Sequence, residues 1–173
     1  GIVELWETDG TIAGTQRITV PDQGTEQQTA FNLKKYDETH LAFVSNNEVW
    51  ITDGTLGGTT KIVTLSDSSL TINGLQFDHS IPGDDRVYLT TSELVNNSYK
   101  SLLVRFDLQS QSTTILLSSK RGSNAIQLDT VYQGRLIFNL TDVAHGTELW
   151  YSDGTPETTA LWMDINPGPA DSY

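Results

Sequence analysis

Aspartate is the residue whose type and spacing could do chemistry in this chain. Asp9, Asp53 and Asp153 each precede Gly-Thr, in Thr8-Asp9-Gly10-Thr11, Thr52-Asp53-Gly54-Thr55 and Ser152-Asp153-Gly154-Thr155. A carboxylate in such a turn can accept backbone N–H bonds, with Gly10, Gly54 and Gly154 supplying the positive φ. It can also join nearby carbonyls to hold calcium. Capping alone is enough to explain the three turns. Two loops are richer in oxygen donors, Ile81-Pro82-Gly83-Asp84-Asp85 and the segment holding Asp164, Asn166 and Asp171. Asp84, Asp85, Asp164, Asn166 and Asp171 are therefore the candidate metal ligands and calcium the candidate cofactor. Neither loop has the spacing of an EF-hand.

Other chemistry is sparse. The chain has no cysteine, so it holds no disulfide and no thiolate metal site. His40, His79 and His145 are scattered, and only Asp142-x-x-His145 offers a pair, fewer ligands than a metal centre needs. No serine lies in a Gly-x-Ser-x-Gly setting and there is no phosphate-binding glycine loop. Trp162 and Tyr151 are the candidate ligand-binding residues, as platforms for a sugar ring. Asn96-Asn97-Ser98 and Asn139-Leu140-Thr141 fit the glycosylation acceptor pattern, with Asn139 disfavoured at a strand end.

The elements that position these residues are short strands. Glu4-Leu5-Trp6, Glu48-Val49-Trp50 and Glu148-Leu149-Trp150 repeat one strand string, each running into its Asp-Gly-Thr turn. Residues 1–24 read as half a unit, a hairpin. Residues 25–66 hold four strands, around Thr29–Leu33, His40–Val44, Glu48–Thr52 and Thr59–Leu65. Residues 67–120 hold a degenerate unit, with Leu102 to Asp107 in the place of the Glu-Leu-Trp strand and Glu93 to Lys100 as an insertion. Residues 121–173 hold the clearest unit. The turn aspartates, counting Asp107, fall about 44, 54 and 46 residues apart. Four strands in about 45 residues is the size of one propeller blade. No helical periodicity and no linker is visible, so residues 1–173 read as one domain.

The string Glu148-Leu149-Trp150-x-x-Asp153-Gly154-Thr155, followed by Asp164-Ile165-Asn166-Pro167-Gly168, resembles the ELWxxDGT repeat family. The match is good at residues 4–15 and 48–59 and weak at 102–117. The resemblance implies tandem β-propeller-like blades in a bacterial secreted or surface protein, with no catalytic residue to carry over. The motif Trp is expected to fill space between blades.

The expected fold is all-β and β-propeller-like, with four-stranded antiparallel blades, three complete and one half. A β-trefoil-like closed barrel is the alternative, against which four copies of the third strand stand. Closed propellers usually have 4 to 8 blades. The chain, which opens at Gly1 and on a third strand, is thus expected to be part of a larger propeller, completed by further blades from the same or other chains.

A net charge of −12 and a pI near 4.4 argue against nucleic acid. No apolar run approaches the ~20 residues of a membrane helix, so no membrane insertion is expected. The function expected is a non-catalytic extracellular scaffold or interaction module with a protein or carbohydrate ligand. The first alternative is a multivalent lectin. The second is a glycoside-hydrolase-like propeller, since Ser-Asp-Gly-Thr resembles the Asp-box turns of sialidases. Here, however, the tryptophan precedes the aspartate, and no arginine cluster for a carboxylate substrate is evident.

Overall fold

The computed structural model describes residues 5–18, 30–80, 85–120, 122 and 125–170. The protein is all-β and built of antiparallel sheets, with one short 3-10 turn and no α-helix among the described residues. It divides into two compact units, Gly1–Leu65 and Ser66–Tyr173.

The first unit holds two sheets. β1 (Leu5–Glu7) and β2 (Gln16–Ile18) form a two-stranded sheet. β3 (Ala30–Lys35), β4 (Leu41–Ser45), β5 (Glu48–Thr52) and β6 (Thr60–Thr64) form the second, in sequence order. The second unit holds two more four-stranded meanders. One is β7 (Leu70–Asp78), β8 (Arg86–Val95), β9 (Ser98–Asp107) and β10 (Ser112–Ser119). The other is β11 (Ile126–Tyr132), β12 (Arg135–Asp142), β13 (Gly146–Ser152) and β14 (Ala160–Met163), with a 3-10 turn at Pro156–Thr158. Three consecutive four-stranded meanders are propeller-like blades, and the trefoil alternative falls away.

Tight turns set the registers. Asn46-Asn47, Asn96-Asn97 and Gln133-Gly134 all have positive φ at both residues and join strands paired Ser45 to Glu48, Val95 to Ser98 and Tyr132 to Arg135. This is the two-residue hairpin whose twist suits antiparallel strands. The insertion Glu93 to Lys100 lengthens β8 and β9, which pair continuously from Arg86–Asp107 to Val95–Ser98.

A bulge recurs between the third and fourth strands. Ile62, Leu116 and Trp162 are each the extra residue, skipped between partners of Val49 and Trp50, Leu103 and Val104, and Leu149 and Trp150. These registers make Trp162 the repeat-equivalent of Leu116.

The cores lie between sheets. In the first unit, Phe43 and Trp50 of the second sheet pack with Leu5 of the first. In the second unit, Tyr88, Leu103 and Leu116 of the third sheet meet Ile126, Leu136, Phe138 and Leu140 of the fourth, with Trp150 against them. Phe138 and Trp150 lie 6.5 Å apart, ring to ring. Trp50 and Trp150 thus fill the space between a sheet and its predecessor, as the repeat pattern implies. Trp50 is 4% exposed, whereas Trp6, on the first sheet, is 55% exposed.

Candidate functional site

The repeated turn is held almost wholly by hydroxyls. Gly10 N–H donates to Thr8 Oγ1, Gly54 N–H to Thr52 Oγ1 and Gly154 N–H to Ser152 Oγ, each at 3.0 Å. The same three hydroxyls pair with Thr15, Thr59 and Thr159 at 2.7–2.8 Å, and those threonines donate back to the carbonyls of Thr11, Thr55 and Thr155. Asp9 Oδ1 accepts from the backbone and hydroxyl of Thr11 at 2.8 and 2.7 Å, and Asp53 Oδ1 from those of Thr55 at 2.9 and 2.8 Å. These bonds hold both carboxyls below the usual carboxylate range. The Thr11 hydroxyl contributes most at Asp9, and the Thr55 N–H at Asp53.

Asp153 behaves differently, for a steric reason. A Cβ on Gly14 or Gly58 would overlap the Asp9 or Asp53 carboxylate. The position equivalent to these glycines in the fourth sheet is Thr158, five residues after its aspartate. Asp153 instead pairs with Arg135, Nε to Oδ1 at 2.8 Å.

Each covered turn rests on the preceding sheet. In the first unit, a Cβ on Gly54 would overlap the Glu7 carboxylate on β1. In the second, Arg86 Nη1 donates to Asp153 O at 3.3 Å and Arg105 Nη1 to Gly154 O at 2.8 Å. A Cβ on Gly154 would lie 3.0 Å from the Tyr88 hydroxyl and 3.1 Å from Arg86 Nη1. Burial pushes the Tyr88 phenol up. Gly54 and Gly154 thus serve twice: each takes a φ near +93° and lets backbone lie flush on its neighbour. Gly10 has the same backbone, φ +90°, and open space around it.

The face of the fourth sheet turned away from this core carries the two predicted ligand residues. Alternation and cross-strand pairing place Tyr132, Arg135, Ile137 and Tyr151 on it together. A groove of about 360 Å³ is lined by Tyr132, Gln133, Arg135, Ile137 and Trp162. The Arg135 guanidinium lies 5.2 Å over the Tyr151 ring, so Trp162 and Tyr151 share that arginine. Trp162 is 52% exposed and Tyr132 61%. A wider cleft of about 520 Å³ adjoins it, lined by Ser80, Arg86, Gln133, Gly134, Arg135 and Asp153. Its two guanidiniums are already engaged, one on Asp153 O and one on the Asp153 carboxylate.

Of the expected calcium ligands, Asp85, Asp164 and Asn166 are among the described residues. Asp84 and Asp171 lie outside the described residues. Asp85 Oδ1 pairs with His79 Nδ1 at 3.0 Å. Asp164 and Asn166 follow β14, where the buried Glu148 carboxylate accepts from Ile165 N–H at 2.9 Å and Asn166 N–H at 3.4 Å. No group of three or more His, Asp or Glu side chains is placed to hold a metal among the described residues. All three histidines pair with aspartates: His40 with Asp37, His79 with Asp85 and His145 with Asp142.

Sequence reasoning passed over Arg86, Arg105, Arg135 and Tyr132. The signal available was weak: Arg86 and Arg135 open the second strand of consecutive units. Glu148 was visible as part of the motif, but its reach to Ile165 and Asn166 was not.

No protein-family model matches the chain, and no curated protein matches it.

Proposed function

We propose that this protein is a non-catalytic repeat scaffold, an extracellular interaction module of a larger secreted or surface protein. Its work is to present stackable sheets to further blades and to a protein or carbohydrate ligand. The observation that carries this reading is the seating of two separate Asp-Gly-Thr turns, at Gly54 and Gly154, each on the sheet before it. Repeating the turn hydroxyls, the turn glycine and the motif tryptophan in every clear copy is what a modular stack needs. The resemblance to ELWxxDGT repeats supports the same reading, and with it secretion. The pairing of each histidine with an aspartate three or six residues away fits a structural role for these groups. The test is a panel of glycoside and ester substrates, on which no turnover is expected. Turnover that survives repurification and is lost on substitution of a cleft residue such as Arg135 would contradict the reading.

A second reading is a carbohydrate-binding protein. It is favoured by one observation, the exposed Trp162 and Tyr132 flanking a groove that also offers Gln133 and Arg135 as hydrogen-bond donors. A glycan array, run with and without a calcium chelator, tests it. Saturable sugar binding lost in Trp162→Ala would establish this reading.

A further inference from the structure

The outward face of the fourth sheet has an internal precedent. The registers make Ile137, Leu149, Tyr151 and Trp162 the equivalents of Tyr88, Leu103, Arg105 and Leu116 on the third sheet. Arg135 is the equivalent of Arg86. On the third sheet this set is covered by the fourth: Tyr88 and Leu103 are fully buried, and Arg86 and Arg105 donate to the Asp153-Gly154 turn. The first unit repeats the arrangement, with Leu5 and Glu7 of β1 beneath Trp50 and Gly54 of the next sheet. The seat that both junctions use is therefore present a third time on the fourth sheet.

The piece that fits this seat is the first turn of the chain. The Asp9-Gly10-Thr11 turn matches the Asp53-Gly54-Thr55 turn bond for bond, and the space over Gly10 is open. We infer that the fourth sheet, through Arg135, Tyr151 and Trp162, docks the β1–β2 sheet of a second copy of this chain, seating its Asp9-Gly10-Thr11 turn. Arg135 keeps its Nε on the Asp153 carboxylate, leaves the Tyr151 ring and donates a terminal N–H to a carbonyl of that turn, as Arg86 does to Asp153 O. Trp162 takes the buried place that Leu116 has between the third and fourth sheets. The contact is heterologous, one face against a different face, so it generates a ring if the rotation closes and an open chain if it does not. This inference rests on the scaffold reading and names its partner.

Two single variants test it. Trp162→Glu puts a charge on the accepting face at a half-exposed position. Gly10→Asn puts a side chain into the open space over the turn, with the residue that best tolerates positive φ. Thermal melts followed by circular dichroism first confirm that both variants fold. Native mass is then measured by light scattering across a concentration series. The wild type is expected at two or more times the 19.1 kDa chain mass, rising with concentration. Each variant alone is expected at the chain mass. An equimolar mixture is expected to form a 1:1 dimer and nothing larger, because one good face remains on each partner. If Gly10→Asn fails to fold, Trp6→Glu takes its place. A wild type that stays at the chain mass, or variants that assemble as the wild type does, would overturn the inference. Neither result touches the scaffold reading, which is tested by turnover and by the seating of the turns within one chain.

Discussion

At the scale of single residues, the protein is organised by short polar side chains bonding to nearby backbone. Asp37, Asp67, Asp78, Asp107 and Asp142 each accept from an N–H two or three residues on. Asp142 and His145 show how such a pair responds to pH. The Asp142 carboxylate raises the His145 pKa above the ordinary 6.5. At Asp142 burial pushes upward, but the bonds from the His145 ring and the local backbone outweigh it and the net shift is downward from 3.8. His145 therefore stabilises the fold fully below pH 6.5, and that contribution is lost as pH rises through its folded value. The Asp142 contribution is present above pH 3.8 and is lost as pH falls through its lowered folded value. Asp142→Asn should return the His145 titration, read by NMR, toward 6.5. An unmoved titration would show that the pair is not what shifts it. A second residue-scale prediction concerns Glu148. Glu148→Ala removes the acceptor for two backbone N–H groups and should cost about 1–3 kcal/mol in urea unfolding.

At the scale of the element, the exposed tip of the β8–β9 hairpin and the buried seam between sheets should respond oppositely to substitution. Leu94, Val95 and Tyr99 are exposed, so polar replacements there should change stability by less than about 0.5 kcal/mol. Trp150→Ala, in the seam, should cost about 3 kcal/mol or more. A costly tip or a cheap Trp150 would contradict the placement of the core. The difference between what the sequence disclosed and what it hid is physical. β5 was legible end to end because Glu48 to Thr52 is a short run rich in β-branched and aromatic residues that repeats at Glu148, and Asp53-Gly54 stops it. β7 and β11 run longer than expected because bulges at Asn73 and Asp129 break the two-residue period. The β8–β9 extension was hidden by its polar, loop-like composition and by an Asn-Asn turn that lacks glycine. The turn motif was legible because every bond in it is local. The seat beneath it was not, because Arg86 and Arg105 acquire their role only against a turn 67 and 49 residues further on, where Tyr88 also meets it.

At the scale of the molecule, charge opposes assembly. A chain of net charge −12 repels its copies, and screening shortens the reach of that repulsion from ~30 Å at 0.01 M salt to ~8 Å at 0.15 M. The docking contact proposed here is made of apolar side chains and arginine bonds to neutral carbonyls. Association measured by light scattering should therefore strengthen as salt rises over that range. Weakening would mean that the contact is carried by ion pairs.

The central claim is that the Asp53-Gly54-Thr55 and Asp153-Gly154-Thr155 turns each lie flush on the sheet that precedes them. Three glycines test this directly, because Gly10, Gly54 and Gly154 share a backbone conformation, with φ of +90°, +94° and +93°, and differ in what lies over them. Alanine at each imposes similar backbone strain. The measurement is urea unfolding of Gly10→Ala, Gly54→Ala and Gly154→Ala at a concentration where the chain is monomeric. Gly154→Ala should cost more than Gly10→Ala by about 1–3 kcal/mol, the cost of forcing a methyl against the buried Tyr88 and Arg86. Gly54→Ala should fall between them, because the Glu7 carboxylate can swing aside. Equal costs at all three positions would mean that the turns are not seated, and the stack they define would have to be abandoned.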